Sequence, residues 1–63
     1  MNEQEKHIYL IIESNVNLDS VDICRKSIFD ALTTMEILSD LIRSNCVRRV
    51  ECGLRAFYET VNP

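Results

Sequence analysis

Sixty-three residues allow a single domain with a small core, and leave little room to enclose a substrate pocket. The chain is 46% hydrophobic and 27% charged, a balance that suits a folded domain and excludes a disordered tail. Its net charge of −3 excludes a globally basic nucleic-acid binder, so any basic face must be local.

The first predicted element is a short amphipathic helix from about Glu3 to Ser14. Ile8, Ile11 and Ile12 recur at i, i+3, i+4 spacing, with Glu5, Lys6 and Glu13 left to the outer face. Asn15, Asn17 and Asp19 end it, because their side chains compete for backbone hydrogen bonds. Asp19 or Ser20 caps a second short helix, and Asp22 is favourably placed in its first turn. Val21, Cys24 and Ile28 are the expected inward residues of that segment. Asp30 is the expected N-cap of a third, longer helix over about Ala31 to Ser44, with Thr34, Ile37, Leu38, Leu41 and Ile42 inward. Asn45 suits the left-handed position that closes many helices.

Residues 47–61 read two ways. Val, Phe, Tyr and Thr favour strands, and Cys52-Gly53 between two such runs favours a β-hairpin. Val47, Val50, Leu54, Phe57 and Val61 also fall at helical spacing, with Glu51, Arg55 and Glu59 as an i, i+4 charge ladder. The expected fold class is α+β, mainly α: three helices followed by a C-terminal β-hairpin, over residues 1–63 as one domain. The alternative is an all-α dimer.

The chain holds no stretch of about twenty uncharged apolar residues. Its early apolar run, Ile8 to Ile12, follows Glu3 and Glu5 rather than a basic opening, so a cytoplasmic protein with no membrane partner is expected. Cys24, Cys46 and Cys52 contain no C-x-x-C and lie far from the single His7, which argues for reduced thiols in apolar roles and against a metal. His7 itself reads as a surface residue of the first helix. No phosphate loop or nucleophile motif is present, so neither catalytic residues nor a cofactor nor a small-molecule substrate is expected.

Two short helices, a tight turn, a longer helix and a hairpin make the order of a winged helix-turn-helix. Asp22-Ile23-Cys24 resembles the D-I-A that opens the first helix of that motif. Ile28-Phe29-Asp30 falls at the turn, and Asn45-Cys46-Val47 falls where G-L-V enters the wing. Arg48-Arg49 and Gly53-Leu54-Arg55-Ala56-Phe57-Tyr58 resemble the two wing strands. From about Ile8 to Val61 the chain is similar to small bacterial winged-helix regulators, such as those of fimbrial operons and the multiple-antibiotic-resistance regulator family. Two residues depart from the pattern: Ile28 replaces the usual turn glycine, and Asn45 replaces a second one, which asparagine tolerates.

This resemblance implies a DNA-binding transcriptional regulator whose third helix, about 31–44, enters the major groove. The implied DNA-binding residues are Arg25, Lys26, Thr33, Met35, Arg43, Arg48, Arg49 and Arg55. The arginines and Lys26 meet phosphate or the minor groove, and Thr33 and Met35 face the bases. Against this, Ala31, Leu32, Thr33, Met35 and Glu36 include none of the residue types that read bases bidentately. The plainer reading of the cations is a solvated face partly neutralised by Glu51 and Glu59. Leu32, Phe57 and Tyr58 are candidate partner or dimer contacts, and a winged unit this small needs symmetry to be specific.

The competing class is a protein–protein interaction module, paired with itself or with another protein. It draws on the acidic first third, where Lys6 stands against Glu3, Glu5, Glu13, Asp19 and Asp22. Leu18 to Cys24 (L-x-x-x-x-I-C) also resembles small all-helical biofilm and stress-response regulators, once several residues are inserted after it. A DNA-mimicking inhibitor needs more carboxylates on one surface than these.

Overall fold

Each helix in the computed structural model, which describes residues 1–61, begins where a side chain satisfies its free N–H groups. For α1 (Glu3–Glu13), Asn2 accepts the Glu5 N–H at 2.8 Å and Glu5 returns the bond to the Asn2 N–H at 3.0 Å. For α2 (Ser20–Lys26), Asp19 and Asp22 make the same reciprocal box, with Asp19 accepting the Asp22 N–H at 2.8 Å. For α3 (Ala31–Arg43), Asp30 accepts the Thr33 N–H at 2.7 Å.

The end of α3 is closed as firmly as its start. Asn45 sits at φ 62°, and its N–H donates to the Ile42 carbonyl at 3.0 Å. The Cys46 N–H reaches the Leu41 carbonyl at 2.9 Å, which completes a Schellman motif with asparagine in the left-handed place. This turn aims the chain into β1 (Val47–Cys52), which pairs antiparallel with β2 (Arg55–Thr60) from Val47 opposite Thr60 to Cys52 opposite Arg55. Two residues remain for the turn. Gly53 has φ +64° and Leu54 is not left-handed, the signature of a type II′ hairpin. The helical alternative for residues 47–61 is therefore overturned, because a paired ladder and a turn this tight leave no room for helical hydrogen bonds.

A third extended segment joins the sheet at one point: the Tyr58 N–H donates to the Leu18 carbonyl at 3.0 Å. The segment order across the sheet is then Leu18, β2, β1. The core lies between this sheet and the three helices. Ile8, Ile12, Leu18, Ile23, Ile37, Leu38, Leu41 and Val47 fill it, with Tyr9, Ile11, Phe29, Ile42, Cys46 and Tyr58 packed at its margin. The radius of gyration, 10.6 Å, is what a compact domain of this length has. No helix among the described residues is long and apolar enough to cross a membrane.

The inward set of the second helix differs from expectation. Ile23 is its one fully buried residue; Val21 is 55% exposed, Ile28 is 78% exposed, and Cys24 is only half-buried. Val21 lies two residues before Ile23 and so on the opposite side of α2, and for Ile28 the reason is length. Helix α2 ends at Lys26, so Ile28 lies in the following turn and never shares a helical face with Val21 and Cys24. Ile42 is half-buried rather than central, and all three cysteines are free thiols, with Cys52 exposed beside the hairpin turn. An apolar role therefore fits Cys24 and Cys46 but not Cys52.

His7 is also not a bare surface residue. Its Nε2 accepts the Ile28 N–H at 3.2 Å, and its ring meets Phe29 edge-on at 5.5 Å. It ties α1 to the turn between α2 and α3. Ser27 organises the same turn from inside: its Oγ accepts the Phe29 N–H at 3.0 Å and the hydroxyl of fully buried Thr34 at 2.8 Å. These bonds hold the turn without the glycine that the winged-helix pattern carries at Ile28, and Ile28 itself is not left-handed.

Candidate nucleic-acid interface

Two grooves meet on one side of the molecule. Ser20, Val21, Cys24 and Arg25 of α2 line the first, with Ala31 and Met35 of α3. Asp19, Ser20 and Val21 line the second, with Arg49, Leu54, Arg55, Ala56 and Tyr58 of the hairpin. Ser20 and Val21 belong to both, so the start of α3, the length of α2 and the hairpin tip form one continuous surface. It is placed there by the 27–30 turn, which sets α3 across α2, and by the Leu18–Tyr58 bridge, which lays the hairpin along the start of α2.

Three of the sequence-predicted cations share this surface: Arg25, Arg49 and Arg55. Lys26 follows Arg25 at the exposed end of α2. Arg43 does not join them; it ends α3, a thirteen-residue helix about 18–20 Å long, and pairs with Asp40 at 3.2 Å. Arg48 does not join them either. By strand alternation and the ladder register Arg48 and Arg55 lie on one face and Arg49 on the other; Arg55, next to the turn, still reaches the groove, 3.9 Å from Asp19, whereas Arg48 lies farther down the ladder. Arg48 lies on the outer face and donates to Glu59 at 2.8 Å.

Arg49 and Arg55 also have carboxylate neighbours. Arg49 lies 3.7 Å from Glu51, and Arg55 lies 3.9 Å from Asp19 with its guanidinium 5.3 Å above the Phe57 ring. All four arginine side chains in these pairs are more than half exposed. Such pairs contribute about 0–1 kcal/mol each, so they hold the guanidinium groups only weakly against an incoming phosphate. Arg25 and Lys26 have no ion pair among the described residues.

Exposed apolar side chains line these grooves (Val21, Met35, Leu54), and Leu32 follows Ala31 at the start of α3. Leu32 is 71% exposed, Val21 55%, and Leu54 at the hairpin tip fully exposed; Met35 is half-shielded beside them. Thr33 is half-buried, and its N–H is engaged by Asp30. Farther along the same helix, exposed Glu36 and Asp40 add negative charge. Phe57 and Tyr58 are both half-buried, Tyr58 against the core and Phe57 beneath Arg55.

Two carboxyl groups near the surface are held below their usual value of 3.8. For Asp19 the chief cause is the Asp22 N–H, helped by the Asp22 side chain, the Arg55 guanidinium and the Val21 N–H. For Asp30 it is the N–H and side chain of Thr33. Both are therefore firmly anionic near neutrality, and both serve helix starts rather than a reacting group.

Sequence reasoning missed Val21, Leu54 and Ser20 as parts of this surface. Val21 carried an apolar signal that was spent on the core, and only the burial of Ile23, on the other side of α2, shows it to face out. Leu54 follows a glycine in a two-residue turn, where no core position exists, and that signal was available. Compared with known proteins, the chain matches no protein-family model and no curated protein.

Proposed function

We propose that the chain is a small winged-helix DNA-binding transcriptional regulator that acts by binding and not by catalysis. The observation that carries this reading is the continuity of the start of α3 with the hairpin tip across Ser20 and Val21, carrying Arg25, Arg49 and Arg55. The α2–turn–α3–hairpin order is consistent with a winged helix. In this arrangement the first turns of α3 enter the major groove, and the hairpin reaches the adjoining backbone.

The chemistry divides by residue. Arg25 and Lys26, at the end of the helix that crosses the backbone, neutralise phosphates, as do Arg49 and Arg55 from the hairpin. Leu32 and Met35 offer apolar contact to thymine methyl groups, and Thr33 is the one polar group near the bases. Arg43 and Arg48 lie outside the central footprint and assist only at its margins. With no bidentate base reader and few phosphate contacts, one copy binds weakly and with low specificity, so useful recognition needs a second copy on a symmetric site.

The experiment is titration of labelled duplex DNA by fluorescence anisotropy from low to physiological salt. Each lost phosphate contact lowers the salt slope by about 0.9. Arg25→Gln with Lys26→Gln is thus expected to weaken binding on every duplex and to reduce the slope by roughly 2. Folded protein that binds no duplex at low salt ends this reading. The exposure of Leu32, Val21 and Leu54 favours a second one, a protein partner seated on the same surface. In that case Leu32→Ser abolishes the interaction while the cation variants leave it intact.

A further inference from the structure

Strand β1 is an open edge. Among the described residues the sheet ends there, with β2 on one side and no strand on the other. The direction of each main-chain group follows from two bonds. The Val61 N–H donates to the Cys46 carbonyl across the ladder, and the Tyr58 N–H donates away from β1 to Leu18. Antiparallel residues alternate between the two sides, so Arg48, Val50 and Cys52 direct their N–H and C=O groups at β2. Arg49 and Glu51 direct theirs outward. This stretch has no proline or bulge, and the charged residues that could blunt the edge, Arg48, Arg49 and Glu51, are of both signs.

We infer that a second copy of this chain pairs with β1 across a two-fold axis, antiparallel and centred on Val50. The register follows from symmetry and charge. A two-fold axis perpendicular to a sheet keeps its faces, so only residues on the same face can oppose one another. Centring on Arg48, Arg49 or Glu51 sets like charges directly opposite, which destabilises a strand pair. Centring on Val50 sets Arg49 opposite the partner's Glu51, and Glu51 opposite the partner's Arg49. These are also the residues whose main-chain groups point outward, so they form the hydrogen-bonded pairs of the new ladder.

The opposite face agrees. Val50 is 38% exposed and sits beside half-buried Phe57, above a groove that Ile12 and exposed Val16 also line. In the Val50-centred register the two Val50 side chains meet as a close, non-hydrogen-bonded pair, with Cα atoms about 4.5 Å apart. The two hairpins become one continuous sheet, which offsets the marginal stability of an isolated two-stranded ribbon. Of the α2–α3–hairpin-tip surface only Arg49 is shared with this edge, and the test is made without DNA, so failure of the dimer and failure of the DNA-binding reading are distinguishable.

Sedimentation equilibrium without DNA, on the full chain, tests it. A concentration-dependent dimer is expected. Arg49→Glu and Glu51→Arg should each weaken it by roughly tenfold or more, and the double exchange should restore it. The register is read by disulfide trapping in a background with Cys24, Cys46 and Cys52 replaced by serine. Val50→Cys should cross-link to itself under mild oxidation, and Arg49→Cys should not. A strict monomer at about 1 mM overturns the inference, given that an edge-paired dimer in the micromolar to submillimolar range would be populated there. So does a dimer indifferent to the charge exchange, or one trapped by Arg49→Cys instead.

Discussion

His7 illustrates how a single side chain takes its role from a neighbour distant in sequence. A lone histidine on a short amphipathic helix carries no signal that a backbone N–H twenty-one residues away needs an acceptor. Yet the ring accepts from Ile28 and contacts Phe29, so it fastens the helix-turn-helix to α1. His7→Ala should lower the unfolding free energy by about 1–2 kcal/mol, from one hydrogen bond and one aromatic contact. His7→Phe, which keeps only the ring, should recover part of that loss. Urea unfolding that finds His7→Ala equal to the natural chain rules the tie out. Thr34 shows the opposite case: helical spacing marked it as inward, and only packing shows that Ser27 satisfies its hydroxyl.

At the scale of elements, the boundaries are decided by side chains that sequence makes visible. Asp19, Asp30 and Asn45 each stand where a helix must begin or end, and each does so in the structure. The inward face of α2 was not legible in the same way. Val21, Cys24 and Ile28 share a helical period only if the helix continues past Lys26, and it does not. The hairpin was legible as one of two options, and its turn settles it. A Cβ at Gly53 would touch nothing within 4 Å, so replacing it costs conformational strain alone. Gly53→Ala should destabilise the hairpin by about 1–2 kcal/mol. Amide exchange at Arg48 and Val50, which bond to β2, should quicken while exchange in α1 is less affected. Unchanged protection at those two amides would show that the left-handed turn is not required.

The helix caps give the whole molecule an acid-sensitive contribution to its stability. The carboxyl groups of Asp19 and Asp30 are held below 3.8 by the N–H groups they accept. The unfolded chain therefore binds more protons than the folded one as pH falls through that range. The stabilisation is fully present above about 3.8 and is lost as pH drops through the lower, folded values. Asp30→Asn still caps α3 but does not titrate, so it should flatten the acid side of a stability profile and leave neutral stability almost unchanged. Unfolding between pH 2 and 6 checks this, and a profile as steep as the natural chain's refutes it. Arg55 adds to the effect at Asp19, so Arg55→Gln should also shift this acid loss to higher pH, though less than loss of the cap itself.

Local pattern alone determined the three helices, the N-caps of the second and third, the left-handed Asn45 and most of the core of α1 and α3, while the Asn2 cap of α1 was not read from it. Each depends on neighbours within a few residues, where propensity, capping and periodicity act together. Tertiary structure decided that residues 47–61 pair as strands, that Leu18 joins their sheet, and that Arg48 and Arg49 part to opposite faces. It also decided that Val21, Arg25, Arg49 and Arg55 come together on one side with the hairpin tip. These outcomes rest on contacts between segments far apart in the chain, whose energies arise only once both segments are in place, so no window of sequence contains them.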